Sequence, residues 1–422
     1  MTTSTKPSQL AYFPEVTQGT GPADAAAWVT DGTRIRHLGE TLDVSGIEQA
    51  VVEDERSQEG IFNLEYSVKG LRNTSFPFSV YLTGSGATTA ASSQIAETPL
   101  MTLLEHALGG LHRSNSTTLS GGGHTTTTIN VASATNIVHG CLIAVEDVTD
   151  GTIAIRRVLD VNTLAVVLDE VLPFTPADND LVHGMATIYV DETVLVDSSA
   201  GPTTFSWLAQ KGLAAALENF ELNGCKSELK TISLERGALP VLAFDTMVAS
   251  FDPPGTAPSP TWTATPSGSA PVSIGPDTVI TYQTQGTTTL APIHVNSFSV
   301  EVGVPVVAVD TNTEVDSGME GRQGYTTKPA DTTVTMNIVP FGSSHWTQFA
   351  ADTLRRVRFY KRANEGQLFA VHFSRCEIKP PKRGTAGDVS STMVTLRAHP
   401  DAVSSEASNQ AMWRSKLLLA IG

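Results

Sequence analysis

The stretch AAALENFELNGCKSELKTISLERGALPVLAFDTMV, residues 214–248, sets the fold. Phe220 and Leu222 alternate with polar neighbours, then Leu242, Phe244, Thr246 and Val248 do the same after a loop. Period-two patterning of this kind predicts two strands, each with one face turned to a core. A weaker echo runs through 367–397. There Phe369, Val371 and Phe373 alternate, Cys376 stands where Cys225 stood, and Met393, Thr395 and Arg397 oppose Val394 and Leu396.

Other landmarks repeat in the same order. Leu42 and Val44 alternate with polar residues, as do Phe298, Val300 and Val302. Aligning Gly46 with Gly303 would put these strands one residue out of phase and flip every side chain, so the alternation, and not the glycine, sets the match. A helix is predicted from Thr98, with Thr98 as N-cap, Pro99 at the first position, apolar residues at 100, 103, 104, 107 and 108, and Gly109 as the stop. Its counterpart is read over 344–356, with Trp346, Phe349, Ala350 and Leu354 on one face and Arg355 and Arg356 at the negative end of the dipole. The order strand, loop, helix, strand pair thus occurs twice. From helix start to cysteine the copies differ, 98 to 225 against 344 to 376, so about 95 extra residues lie between Gly109 and Gly201 in the first.

Composition fits a β-rich chain of two or three domains, since 422 residues exceed one ordinary core. Three cysteines without a CxxC pair point to a reducing compartment, and the Cys225 and Cys376 echo reads as small buried residues at matched strand positions. The opening MTTSTKPSQLAYFPE lacks the charged-then-apolar run of a signal peptide, and no 18 consecutive apolar residues occur, so no membrane association is expected. The net charge of −16 argues against tight nucleic-acid binding, which needs cations to displace phosphate counterions.

In order, residues 1–33 read as an irregular arm, with Tyr12 and Phe13 its sticky spot. A first β domain takes 34–111 and 189–250, with 62–68 and 75–82 read as a hairpin. Between its halves, 112–188 reads as a small inserted β module with strands at 128–131, 141–145, 152–158 and 164–171. Residues 251–290 form a Pro/Ser/Thr-rich linker, with a strand expected within 279–293, and 291–400 the second β domain. The tail, 401–422, ends in an apolar run that has to be covered by its own domain or by a neighbouring subunit.

Motifs for chemistry are absent. There is no HExxH, Walker A, GxSxG or strand-linked GxGxxG, and His106 reads as a boundary or capping residue. No catalytic residue, metal or cofactor is expected. Asp310 to Gly318 spaces carboxylates as a calcium loop does, but Val315 replaces the turn glycine and Gly321 the closing glutamate.

The opening Leu10-Ala-Tyr-Phe-Pro-Glu-Val-Thr-Gln-Gly-Thr-Gly-Pro-Ala, followed by Arg34-Ile-Arg-His-Leu-Gly-Glu-Thr-Leu, resembles the start of tail tube (major tail) proteins of long-tailed bacteriophages, siphovirus type. Asn223-Gly-Cys and the Thr231-Ile-Ser-Leu-Glu strand resemble the second half of their core domain. The resemblance covers about two thirds of the chain and implies a mainly β fold: tandem β-sandwich or half-barrel domains, each with one flanking helix. It further implies a virion protein, assembled in the bacterial host cytoplasm, that stacks in rings to make a hollow conduit for DNA ejection.

With two copies per chain, a homotrimer would form a pseudo-hexameric ring. Twenty-four strands ~4.8 Å apart and tilted by about 40° enclose a circle roughly 48 Å across, wide enough for duplex DNA. The partners implied are the protein itself, the tape measure protein, the tail terminator, the distal tail protein, and passing DNA without specific binding. Ring-to-ring contact is expected from Glu53, Asp54, Glu55 and Arg56 in one loop and from Asp310, Glu314, Asp316 and Arg322 in the other. Asp43 and Glu301 are expected to line an acidic lumen, where fixed negative charge repels phosphate. The alternative is another β-rich virion component, an adhesin, fibre or decoration protein binding host glycans. Against it, the insert offers Phe174 as its one aromatic before Tyr189.

Overall fold

The computed structural model describes residues 8–44, 51–53, 67–69, 74–86, 93–196, 204–213, 216–252, 256–262, 271–275, 277–310, 322–328, 330–339, 342–362, 366–387, 389–402 and 409–422. The fold is mainly β. Through the first half run β1 (Ser8–Pro14), α1 (Ala25–Asp31), β2 (Thr33–Ile35), β3 (Val51–Glu53), β4 (Ser67–Lys69), β5 (Thr74–Tyr81), α2 (Pro99–Leu108) and β6 (Gly109–Arg113). Then come β7 (Thr117–Thr118), β8 (Thr128–Asn130), β9 (Leu142–Asp147), β10 (Thr152–Asn162), β11 (Ala165–Leu168), β12 (Leu181–His183) and β13 (Ala186–Val190). After α3 (Glu192–Val196) follow β14 (Phe205–Leu213), β15 (Ala216–Glu235), β16 (Val241–Val248) and β17 (Ser250–Asp252). The second half holds β18 (Thr278–Thr284), β19 (Val295–Glu301), β20 (Val306–Asp310), β21 (Arg322–Thr327), β22 (Thr333–Ile338), α4 (Ser344–Ala350) and β23 (Arg355–Lys361). It closes with β24 (Phe369–Ile378), β25 (Lys382–Ala386), β26 (Val389–Ala398), α5 (Gln410–Arg414) and β27 (Leu418–Ile421).

Strand pairing repeats between the halves. β14 pairs with β15 so that Phe205 faces Cys225 and Trp207 faces Leu222; β23 pairs with β24 so that Arg355 faces Cys376 and Val357 faces Phe373. Both ladders step two residues on one strand against three on the other, beside the cysteine. A second irregularity also recurs. Leu229 faces Phe244 and Thr231 faces Ala243 across β15 and β16, one extra residue at Lys230. In the second half Ile378 faces Leu396 and Lys382 faces Met393, again one extra residue, at Pro380-Pro381. Proline suits such a point because an unpaired residue gives up no ladder donor.

The outer partners correspond too, β1 lying on β14 as β18 lies on β23. The segment whose sequence predicts an irregular arm therefore contains a full strand. Its alternation is invisible because Leu10, Ala11 and Tyr12 are all buried, one set on each face. Glu15, just beyond it, is buried and accepts from Thr204 and Ser206 hydroxyls and from Gly224 N, tying the strand to the bend near Cys225. Leu42 and Phe298 hold matching buried places, so the alternation set the phase correctly.

The two halves do not have separate cores. One apolar cluster runs from Phe76, Phe244 and Trp207 through Leu234 to Phe298, Val334 and Val371, because β15 pairs with β16 of its own half and with β19 of the other. α2 forms as its sequence predicts: Thr98 Oγ1 accepts from Met101 N, and Gly109 closes it at φ +93 with a left-handed turn. Its counterpart falls short. α4 ends at Ala350, only His345 on it is buried, and Phe349 is 40 % exposed. Arg355 and Arg356 are not its last turn but the start of β23, whose pairing with β18 and β24 overrides the helical periodicity. The hairpin read over 62–82 is also revised: β4 pairs with β3, whereas β5 pairs with β16.

The insert is a closed barrel, β7-β12-β9-β10-β11-β8. Ser120 N to Asn130 O and Ala132 N to Thr118 O join its end strands. It hangs from β6 and β13, which pair with each other, β13 pairing on its other side with β27. The apolar tail is thus covered within the chain, β27 lying between β13 and β24.

Candidate assembly surface

β15 and β24 are long strands that cross from an outer sheet to an inner one. The inner sheet runs β5, β16, β15 (C-terminal half), β19, β22, β26, then the end of β24 and β25. Residues 42–44 extend it beyond β5, with Leu38 N to Ser79 O at 2.8 Å and Asp43 N to Pro77 O at 3.3 Å. Each half thus supplies four chain segments. Burial alternates strictly on β16 and β22, so one face lies on the core and the other is bare.

The bare face is hydroxylic. Thr231, Ser233, Ser297, Ser299, Thr333, Thr335 and Thr395 point to it, each opposite or beside another by register, with Ser75 facing Met247 and the exposed Tyr81 and Met393 on the same face. Asp43 and Glu301 are both exposed there, and Glu301 accepts from Thr333 Oγ1 at 3.1 Å. They stand among cations as well as acids. Lys230 pairs with Glu228 and lies 3.9 Å from Asp245, and Arg397 meets Asp331 at 2.6 Å. The charge on the face is mixed, not uniformly acidic.

Behind this sheet lie the core and then the outer strands, β18, β23, β24, β27, β13 and β6 in the second half. The barrel packs on their far side, against Tyr360, Ala370, Leu418 and Ala420, so it projects away from the hydroxylic face. A buried ionic cluster fixes it there. Arg358 on β23 bonds Glu170 Oε2 at 2.6 Å and also Asp169, Arg356 Nη1 donates to Asp169 O at 2.9 Å, and Arg157 reaches Asp401 at 2.7 Å across the Trp413 ring. Burial pushes the Asp169 carboxyl up, but Arg358, Arg356 and Arg156 more than offset this and hold it below its usual range. His372 is kept neutral by burial and by Arg358, whose Nε donates to its Nδ1.

His106 is neither boundary nor cap. It is buried, stacks on Phe205 with centroids 3.8 Å apart, and accepts from Ser227 N. Beside it Lys226 Nζ donates to His106 O, and burial pushes that amine down to about 8.

The two hairpins expected to touch neighbouring rings are β3–β4 and β20–β21. Glu53, Asp310 and Arg322 lie on their backbones with side chains outside the described residues, as are Asp54, Glu55, Arg56, Glu314 and Asp316 altogether. The Asp310 to Gly318 string likewise falls mainly outside them. Among the described residues no group of three or more His, Cys, Asp or Glu is placed to hold a metal. The base of the second hairpin is seated on the first half of the chain: Val306 N donates to the buried Glu228 carboxylate, and Tyr325 OH to Gly224 O. Neither anchor is legible in sequence, since each joins residues about a hundred or fewer positions apart with no shared pattern.

Comparison with protein-family models and with curated proteins finds no match to this chain.

Proposed function

We propose that this chain is the tail tube protein of a long-tailed bacteriophage, three copies closing into a pseudo-hexameric ring and the rings stacking into a conduit for DNA. The observation that carries the reading is the inner sheet: one bare, hydroxyl-lined face made of eight chain segments, four from each of two halves with repeating registers. Curling such a sheet around a threefold axis encloses the hydroxylic face and removes both of its edges. Twenty-four segments then surround a channel wide enough for duplex DNA by the strand spacing of ~4.8 Å.

The mechanism is passive. Hydroxyls and interspersed opposite charges offer a passing phosphate backbone no continuous cationic track, and the net charge of −16 disfavours adhesion at large. The barrels decorate the outside. Tape measure protein inside the channel, and terminator and distal tail proteins at its ends, complete the expected set of partners.

Negative-stain microscopy of the purified chain tests this. Hollow rings or filaments with three chains per ring are expected; monodisperse single particles that bind glycans would overturn it.

A further inference from the structure

Lys226 has no part in the proposed tube. It stands on β15 beside Cys225, opposite Met247, and it is buried. The burial follows from where it sits in the strand. At this point β15 leaves β14 for β16, and α2 lies across the bend. Lys226 Nζ donates to His106 O at 3.0 Å, and the next residue, Ser227, donates its backbone N–H to His106 Nε2 at 3.1 Å. A carbonyl gives the amine a hydrogen bond but no countercharge, and burial holds it near 8.

Lys226 and His106 both line a cavity of about 310 Å³. Phe205, Pro14 and Val194 supply its apolar walls, and Thr102 and Glu105 its polar ones. Val194 is 38 % exposed and Pro14 is exposed too, so these two mark the open side. His106 is stacked on Phe205 and is kept neutral by burial and by Lys226, so it adds no second cation.

We infer that Lys226 is a carbonyl-capturing amine, which condenses in this cavity with an aldehyde carrying an apolar body and holds it as an imine. The step needs neither oxidant nor reductant. The Nζ lone pair forms a C–N bond as the carbonyl π pair moves to oxygen, and the two amine protons leave with that oxygen as water.

Three features support it. The attacking amine must be neutral, and at pH 7.5 an amine titrating near 8 is about a quarter neutral, against about one part in a thousand for an exposed lysine. The cavity has room for a single aromatic ring beside the amine. Phe205, Pro14 and Val194 bury that ring and limit the water that reverses the condensation. In the second half Glu377 stands at the matching place, after Cys376, so the two halves together yield one adduct per chain. None of this depends on whether the chain builds rings.

The unaltered folded protein tests it. Benzaldehyde is added below one equivalent per chain at about pH 7.5, the imine is fixed with cyanoborohydride, and the adduct is located by peptide mass spectrometry. Lys226 is expected to be modified about ten-fold faster or more than the exposed Lys382, and the preference is expected to vanish in concentrated urea. Modification of Lys226 no faster than that of Lys382 overturns the inference. Val194→Trp narrows the open side and is expected to slow modification of Lys226 several-fold, leaving Lys382 and the urea midpoint unchanged. Indifference of Lys226 to the bulkier residue also overturns the inference, since the aldehyde would then not occupy this cavity.

Discussion

The first and second halves carry the same ladder pattern with different contents. Where Phe205 faces Cys225 it lies in an aromatic cluster with Tyr12, Trp207 and His106; where Arg355 faces Cys376 it lies over Tyr282 and bonds Thr284 Oγ1 at 3.1 Å. α2 buries seven of its residues and α4 one. The architecture is held by strand register and by two irregularities per half, both of which tolerate complete replacement of the side chains around them. What the core contributes in the first half, an ionic cluster and a docked barrel contribute on the back of the second.

The sharpest way to break the comparison is at that cluster. Arg358→Ala leaves Asp169 and Glu170 buried without their main partner, and a loss of about 3–5 kcal/mol is expected by chemical denaturation. The matched position in the first half, Leu208, is an apolar residue under Trp28, so no charge is stranded by its truncation. Next come the helices. Leu104→Ala on α2 should cost about 2–5 kcal/mol, and Phe349→Ala on α4 within about 0.5 kcal/mol. Equal losses would mean that α4 is packed in solution as α2 is.

Lys226 separates the halves by pH, because its place in the second half is taken by the half-buried Glu377. Its amine titrates near 8 folded and near 10.4 unfolded. Over that window the unfolded chain binds more protons, so stability rises with pH between those limits and is flat on either side. Relative to Lys226→Met, the native protein should gain up to about 3 kcal/mol between pH 7.5 and 10.5, read from urea midpoints. The smallest effect expected is at the helix cap. Thr98→Ala should cost about 1 kcal/mol, whereas Ser343→Ala, which makes no capping bond, should be close to neutral.

Much of this was legible in the sequence. The alternation of Leu242, Phe244, Thr246 and Val248 and the Thr98–Gly109 helix follow from pattern alone. What stayed hidden has physical causes. β1 and β23 are buried on both faces, so neither alternates, and β23, RRVRFYK, is buried throughout because its arginines meet carboxylates nearly 190 positions away. The 344–356 periodicity was real but lost to sheet pairing.

The barrel enters and leaves through neighbouring residues: Ser114 N donates to Met185 O, and a Cβ on Gly184 would come within 2.2 Å of Ser114 O. A module hung from so narrow a neck is a graft. It can be exchanged for another of different size without moving the sheet beneath it, provided the guest either supplies anions for Arg356 and Arg358 or leaves them to water. The back of the molecule is thereby free to diversify while the hydroxylic sheet stays fixed.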